Sequence, residues 1–341
     1  MKALQLTRVG QLDLIDAAIP NVPDGYMLVR TAAAVICTSD LNDIRANPFH
    51  IALPVVLGHE GAGIVAGLGK GASGFAVGDR VAAHPVHPCR KCPHCQAGME
   101  HLCSRMGHFG LNLPGTFAEH FVVRCDRARN VGDMPLALAA LAEPVCVCLE
   151  ALAQANISAG GRLLIVGDGP FGAMTAILAE ELELSQVVLA GHHDFRLNFA
   201  PAATKVNLKR DDGPPRLREL SGPLGFDAAI LAVGSAQAAA VALELLRPKG
   251  RLVVFSALPG ATPVDLFRLH VRELEIVGAC NDHDRLDDAI ARLRSRRASL
   301  ERLITHALPL ERYREAIELA NTGRDSAMKV AFALDPKEPQ S

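Results

Sequence analysis

Four cysteines crowd one stretch of the chain, CRKCPHCQAGMEHLC at residues 89–103. Cys89, Cys92 and Cys95 form two overlapping C-x2-C turns, and Cys103 closes the set after seven further residues. Such turns bring thiolates to one side of an ion, and four soft donors suit tetrahedral zinc. A site filled by four thiolates keeps no open coordination position, so this one is read as holding shape. Zinc binding is worth on the order of 10 kcal/mol in comparable peptides, enough to fix a loop with little core of its own. A nucleic-acid-binding zinc module would need more positive charge than Arg90, Lys91 and Arg105 supply. A second constellation is RLLIVGDGPFGAMTA, where Gly167-x-Gly169-x-x-Gly172 follows an apolar run and opens a helical one. In that setting the glycines allow a tight turn and close approach of the backbone to a pyrophosphate at a helix N-terminus.

Two kinds of element must position these residues. The first 130 residues carry short β-rich runs punctuated by glycine, such as GAGIVAGLGKGASGFAVGDRVAAHP at 61–85, which read as an antiparallel or barrel-like domain. From about Pro144 the pattern becomes apolar strands alternating with alanine-rich helices. RLLIVG (162–167), QVVLAG (186–191), FDAAILAVG (226–234), RLVVFSA (251–257) and LEIVGA (274–279) have the character of strands buried on both faces of a parallel sheet. AMTAILAEEL (173–182) and AAAVALELL (238–246) have helical spacing. After residue 285 come charged helices, and MKVAFAL (328–334) reads as a strand returning to the first domain. The proline-rich stretch 198–222, with Pro201 where a helix is expected, reads as a shortened or irregular crossover.

Bulk properties narrow the function classes. The chain has 341 residues and a formal net charge of −2, so neither nucleic acid nor an anionic membrane is expected as a partner. The start, MKALQLTRVG, lacks the apolar core of a signal peptide. Glu143, Pro144 and Glu150 interrupt the most apolar stretch, so no membrane span is expected and the cytoplasm is the expected location. Thiols stay reduced there, which favours metal over disulfides for the crowded cysteines. The scattered Cys37, Cys125, Cys146, Cys148 and Cys280 read by default as small buried hydrophobes.

Taken in order, Cys37-Thr38-Ser39-Asp40, Gly58-His59-Glu60, the four-cysteine loop, GTFAEHF (115–121) and the glycine turn resemble the zinc-dependent medium-chain alcohol and polyol dehydrogenases. The resemblance spans nearly the whole chain. It implies an α/β protein with a GroES-like β-rich catalytic domain (1–145, with a structural zinc lobe at 86–106), a Rossmann doubly wound parallel-sheet domain (146–285) and a C-terminal return (286–341). It also implies a catalytic zinc held by Cys37, His59 and a third donor, for which Glu60 and Glu143 both stand. Glutamate at 143 resembles the polyol, sorbitol and threonine branches. Adjacent strand residues point to opposite faces, so His59 and Glu60 can bind together only if the chain bends, which Gly58 and Gly61 allow. Asp40 then orients His59, and Ser39 relays the substrate proton. Asn42 replaces the histidine that often follows in the relay, with His50 as a substitute. Phe49, His50, Phe109 and Asn281 are candidates for lining the substrate.

The implied reaction is hydride transfer between a secondary alcohol or polyol (or its ketone or ketose) and NAD(P), in a cleft between domains, with zinc activating the substrate oxygen. The dinucleotide set is Gly167, Gly169, Pro170, Phe171, Gly172, Gly191, His192, His193, Arg196, Val233 and Gly234. Lys329 is expected at the pyrophosphate. NAD users end the second strand with an acid. Here Gly191 stands in that place and His192, His193 and Arg196 follow, which favours NADP over NAD, with Asp194 as the counter-argument. Two zinc ions per chain and a homodimer or homotetramer complete the expectation. A zinc-free enone or quinone reductase and a non-catalytic NADP-binding regulatory protein are the rivals.

Overall fold

The glycine-punctuated first part of the chain folds as antiparallel strands. They are β1 (Lys2–Arg8), β2 (Gln11–Asp16), β3 (Tyr26–Val35), β4 (Val55–Val56), β5 (Glu60–Leu68), β6 (Arg80–Ala83), β7 (Val86–His87), β8 (Gly107–His108), β9 (His120–Arg124) and β10 (Ala128–Asn130). Helix α1 (Thr38–Ala46) follows β3, and the short α2 (Pro93–Gln96) lies in the cysteine loop. This computed structural model describes residues 1–258 and 260–335. The chain divides into two units, Met1–Cys146 with the chain from His283 onward, and Val147–Asp282.

In the first unit β3 is the spine. It pairs with β5 along one edge, with β9 over Tyr26–Arg30 and with the returning C-terminal strand over Ala33–Val35. Every second residue of its first half is buried, as the two-residue period of a strand requires. Gly63 of β5 crosses β3 so closely that a Cβ there would strike the Arg30 carbonyl.

Helices α3 (Leu136–Ala139) and α4 (Ala142–Ala155) lead to β11 (Arg162–Val166), α5 (Pro170–Ala179), β12 (Gln186–Gly191), α6 (Asp194–Leu197), β13 (Thr204–Asn207), α7 (Gly213–Ser221), β14 (Phe226–Leu231), α8 (Ala236–Leu245), β15 (Leu246–Val254), α9 (Leu266–Arg272) and β16 (Glu275–Gly278). The six strands form one parallel sheet in the order β13-β12-β11-β14-β15-β16. The order reverses between β11 and β14, the switch point of a doubly wound dinucleotide fold. All five expected strands are present. The stretch 198–222 is more regular than expected: Pro201 lies in the turn after a four-residue α6, and Thr204–Asn207 then joins the sheet beside β12.

The chain returns through α10 (Leu286–Ser295), α11 (Arg297–Leu300), β17 (Ile304–Leu308), α12 (Tyr313–Thr322) and β18 (Lys329–Ala333). Gly323 ends α12 with φ +65° and donates its N–H to Leu319 O. As expected of MKVAFAL, β18 pairs with β3, setting Ala331 opposite Val35. The stretch Leu136–Ala155 is long and apolar enough to cross a membrane, but 83% of its apolar window is buried inside the protein, as in a core helix.

Candidate functional site

Cys37 lies two residues beyond the end of β3. Its neighbour Ile36 donates its N–H to Val330 O at 2.9 Å, so the returning strand fixes where Cys37 sits. His59 and Glu60 come from the other side, at the entry to β5. Gly58 there has φ +92°, and a Cβ on it would run into the Phe117 ring. The GTFAEHF stretch clamps this bend: Thr116 N donates to Gly58 O (3.0 Å) and Phe117 N to Leu57 O (2.9 Å). The bend solves the strand-alternation problem, because His59 precedes the regular strand and Glu60 opens it. Cys37, His59 and Glu60 offer ligand atoms all within 4.8 Å of one another, and all three are buried.

Asp40 does two jobs from the first turn of α1. Its Oδ2 accepts the Cys37 N–H at 2.9 Å, and its Oδ1 lies 3.4 Å from His59 Nδ1. The other ring nitrogen, Nε2, lies 3.4 Å from Ser39 Oγ. Burial opposes charge on the ring, yet Asp40 and Cys37 outweigh it and raise the His59 pKa well above its usual value. The cluster therefore draws positive charge, and its sulfur, imidazole and carboxylate donors fit a zinc ion with a position left open.

Lys329 faces inward, onto Glu60. It is 2% exposed, and its Nζ lies 2.6 Å from both oxygens of Glu60, which is wholly buried. Burial lowers its pKa, but Glu60, Cys37 and Glu143 reverse the sign and raise it. Glu143 opens α4, buried and close enough to act on Lys329, but it lies outside the three-residue cluster. Phe109 is core, 1% exposed and packed edge-on against His87 and Phe121. His50 is exposed, and Asn42 accepts a hydrogen bond from Arg45 Nη2 at 2.7 Å.

The four lobe cysteines also gather, with all Sγ atoms within 4.8 Å. Backbone N–H groups converge on them, from Cys89 and Arg105 to Cys103 and from Lys91 to Cys89, at 3.3–3.5 Å. Backbone donation from Cys95 and Ser104 brings the Cys92 thiol down to about 5. Burial, with Cys92 and Cys103 beside it, pushes Cys95 up to about 12. Four sulfurs this close cannot all ionise without a cation, and a zinc ion fits the donor set.

In the second unit Gly167 follows β11 with φ +124°, where a Cβ would lie 2.7 Å from Ala232 O and 3.2 Å from Val233 Cβ. A Cβ on Gly172 would run into the Gly167 carbonyl, so α5 packs directly on the turn. A Cβ on Gly169 would meet nothing within 4 Å, which leaves open space at the α5 N-terminus where Pro170 is the first helical residue. That space suits a pyrophosphate. Phe171 packs edge-on against Phe255, and a Cβ on Gly234 would lie 2.6 Å from Ala257 O. His192 and His193 are exposed after Gly191, and Arg196 lies on α6. Asp194 is turned away, accepting from Asn207 (3.0 Å) and Arg210 (2.9 Å). An acid that sequence reasoning missed stands at the end of β12: Asp168, whose Oδ2 accepts the N–H groups of His192 and His193. The pairing of an acid inside the glycine turn with glycine at 191 was the available signal.

Residues 23–133 match the model of the alcohol dehydrogenase GroES-like domain, and residues 170–295 that of the zinc-binding dehydrogenases. D-altritol 5-dehydrogenase of Agrobacterium fabrum is 30% identical over 345 residues, covering 98% of this chain and all of that one. A Sinorhizobium meliloti chain described as a zinc-binding dehydrogenase, bound to NADP, superposes with a TM-score of 0.89 at 26% identity, over 97% of this chain and 98% of that one. An Escherichia coli alcohol dehydrogenase complexed with NADH gives 0.89 at 25% identity, over 98% and 99%. With the two donor clusters, the glycine turn and this full-length similarity, the chain belongs to the zinc-dependent medium-chain dehydrogenase/reductase family, in its polyol, sorbitol and threonine dehydrogenase branch.

Proposed function

We propose that this chain transfers a hydride between a secondary alcohol or polyol, or the matching ketone or ketose, and a nicotinamide dinucleotide. The observation that carries the reading is the buried trio Cys37, His59 and Glu60, gathered within 4.8 Å beside Ser39. Two zinc ions per chain are proposed, one at that trio and one at the four cysteines. Bound at the trio, zinc supplies a Lewis acid that lets a hydroxyl lose its proton near neutral pH.

The side chains do the rest. Asp40 holds the Cys37 backbone and the His59 ring in one orientation. Lys329 holds Glu60 in place as the proposed third donor, and Glu143 acts from farther out. The Ser39 hydroxyl, next to the ligand histidine, takes the proton from the substrate side and passes it outward. The glycine turn would hold the pyrophosphate of the dinucleotide, which would supply the hydride acceptor or donor. A polyol is favoured within the alcohol class by the carboxylate-bearing ligand set and by the D-altritol relative. The proposed setting is the cytoplasm, as a dimer or tetramer.

A panel of secondary alcohols and polyols assayed with NAD and NADP tests the reading. Turnover should appear with a member of the panel and vanish in Cys37→Ala and His59→Ala, while dinucleotide binding survives. Turnover that persists in both variants sinks the zinc mechanism.

A further inference from the structure

A dinucleotide fold ends its second strand with an acid for the ribose hydroxyls. This chain has Gly191 there, and the structure fills the place from a different loop. A Cβ at 191 would lie 2.5 Å from Asp168 Cγ and 2.7 Å from its Oδ2. That oxygen accepts the backbone N–H of His192 at 2.7 Å and of His193 at 2.6 Å, with His193 Nδ1 at 3.1 Å. Asp168 is only 7% exposed, and its second carboxylate oxygen takes no bond among the described residues. Gly191 is thus the room an acid occupies, since any side chain there would collide with Asp168.

We propose that Asp168, reaching over from the glycine turn, is the ribose-binding acid of this site and makes it select NAD over NADP. This rests on the dinucleotide reading above and reverses the preference drawn from residue 191 alone. A carboxylate accepts hydrogen bonds from vicinal hydroxyls but repels a 2′-phosphate in a partly desolvated site. Asp168 also occupies the two N–H groups at the strand end that would otherwise serve a phosphate. Asp194 cannot take the role while it is held by Asn207 and Arg210.

Equilibrium binding to the purified full chain tests this without turnover, using NADH and NADPH by fluorescence, and 5′-AMP and adenosine 2′,5′-bisphosphate by calorimetry. The wild type should bind NADH and 5′-AMP more tightly than their 2′-phosphorylated counterparts. Asp168→Asn and Asp168→Ala should shift the NADH:NADPH ratio of Kd values toward NADPH by about tenfold, the size of one lost charge-assisted hydrogen bond. A wild type that prefers NADPH overturns the proposal, as do folded variants with an unchanged ratio. Should the variants fail to fold, the wild-type preference in the two ligand pairs decides. A wild type that binds neither dinucleotide overturns the dinucleotide reading itself, and the proposal with it.

Discussion

Lys329 and Glu60 are 269 positions apart, yet the lysine ammonium lies 2.6 Å from both carboxylate oxygens in a site that water does not reach. Removing one member of a buried pair costs about 3–5 kcal/mol, because the other charge is left uncompensated. Lys329→Met should therefore lower unfolding stability in urea by about that amount, and adding Glu60→Gln should recover part of it. A Lys329→Met protein as stable as the wild type would contradict the pairing. At the lobe, Cys92→Ser should cost one bound zinc and several kcal/mol, on the order of half the affinity of a peptide site. Cys125→Ser, outside the cluster, should keep the metal; zinc analysis and urea unfolding of both variants give the comparison. The lobe was legible because its ligands are local and its spacing is itself the geometry. The Lys329 pairing was not, because a strand residue's neighbours come from strands that the chain reaches only much later.

At the scale of the element, the turn between β11 and α5 separates two glycines that look alike in sequence. Gly172 is packed against the Gly167 carbonyl, so Gly172→Ala should destabilise the second unit by about 1–3 kcal/mol through overpacking. Gly169 faces open space, so Gly169→Ala should leave stability within about 0.5 kcal/mol. It should nevertheless weaken NADH binding, if that space receives the pyrophosphate. Thermal unfolding and dinucleotide titration of both variants give the comparison, and equal effects of the two would refute the assignment. Strand and helix identities in this unit were readable from apolar runs and periodicity. The strand Thr204–Asn207 was hidden because it has four residues and follows a proline turn. Asp168 was hidden because a spacing pattern counts positions and does not show which way the side chain between two glycines turns.

Across the whole molecule, fold and family were legible because four ordered motifs each demand a particular local geometry, and the C-terminal strand was recognisable by its apolar composition. Which glutamate completes the trio depends on distances between segments far apart in the chain, and here Glu60 joins Cys37 and His59 while Glu143 stays outside. We propose that this trio holds a zinc ion that turnover requires. The most direct test is zinc quantified beside turnover as the metal is withdrawn by chelation and returned. The wild type should hold two zinc ions per chain and Cys37→Ala one, with activity lost and regained in step with the ion at the trio. Full turnover by a protein holding no zinc beyond the four-cysteine loop would contradict it.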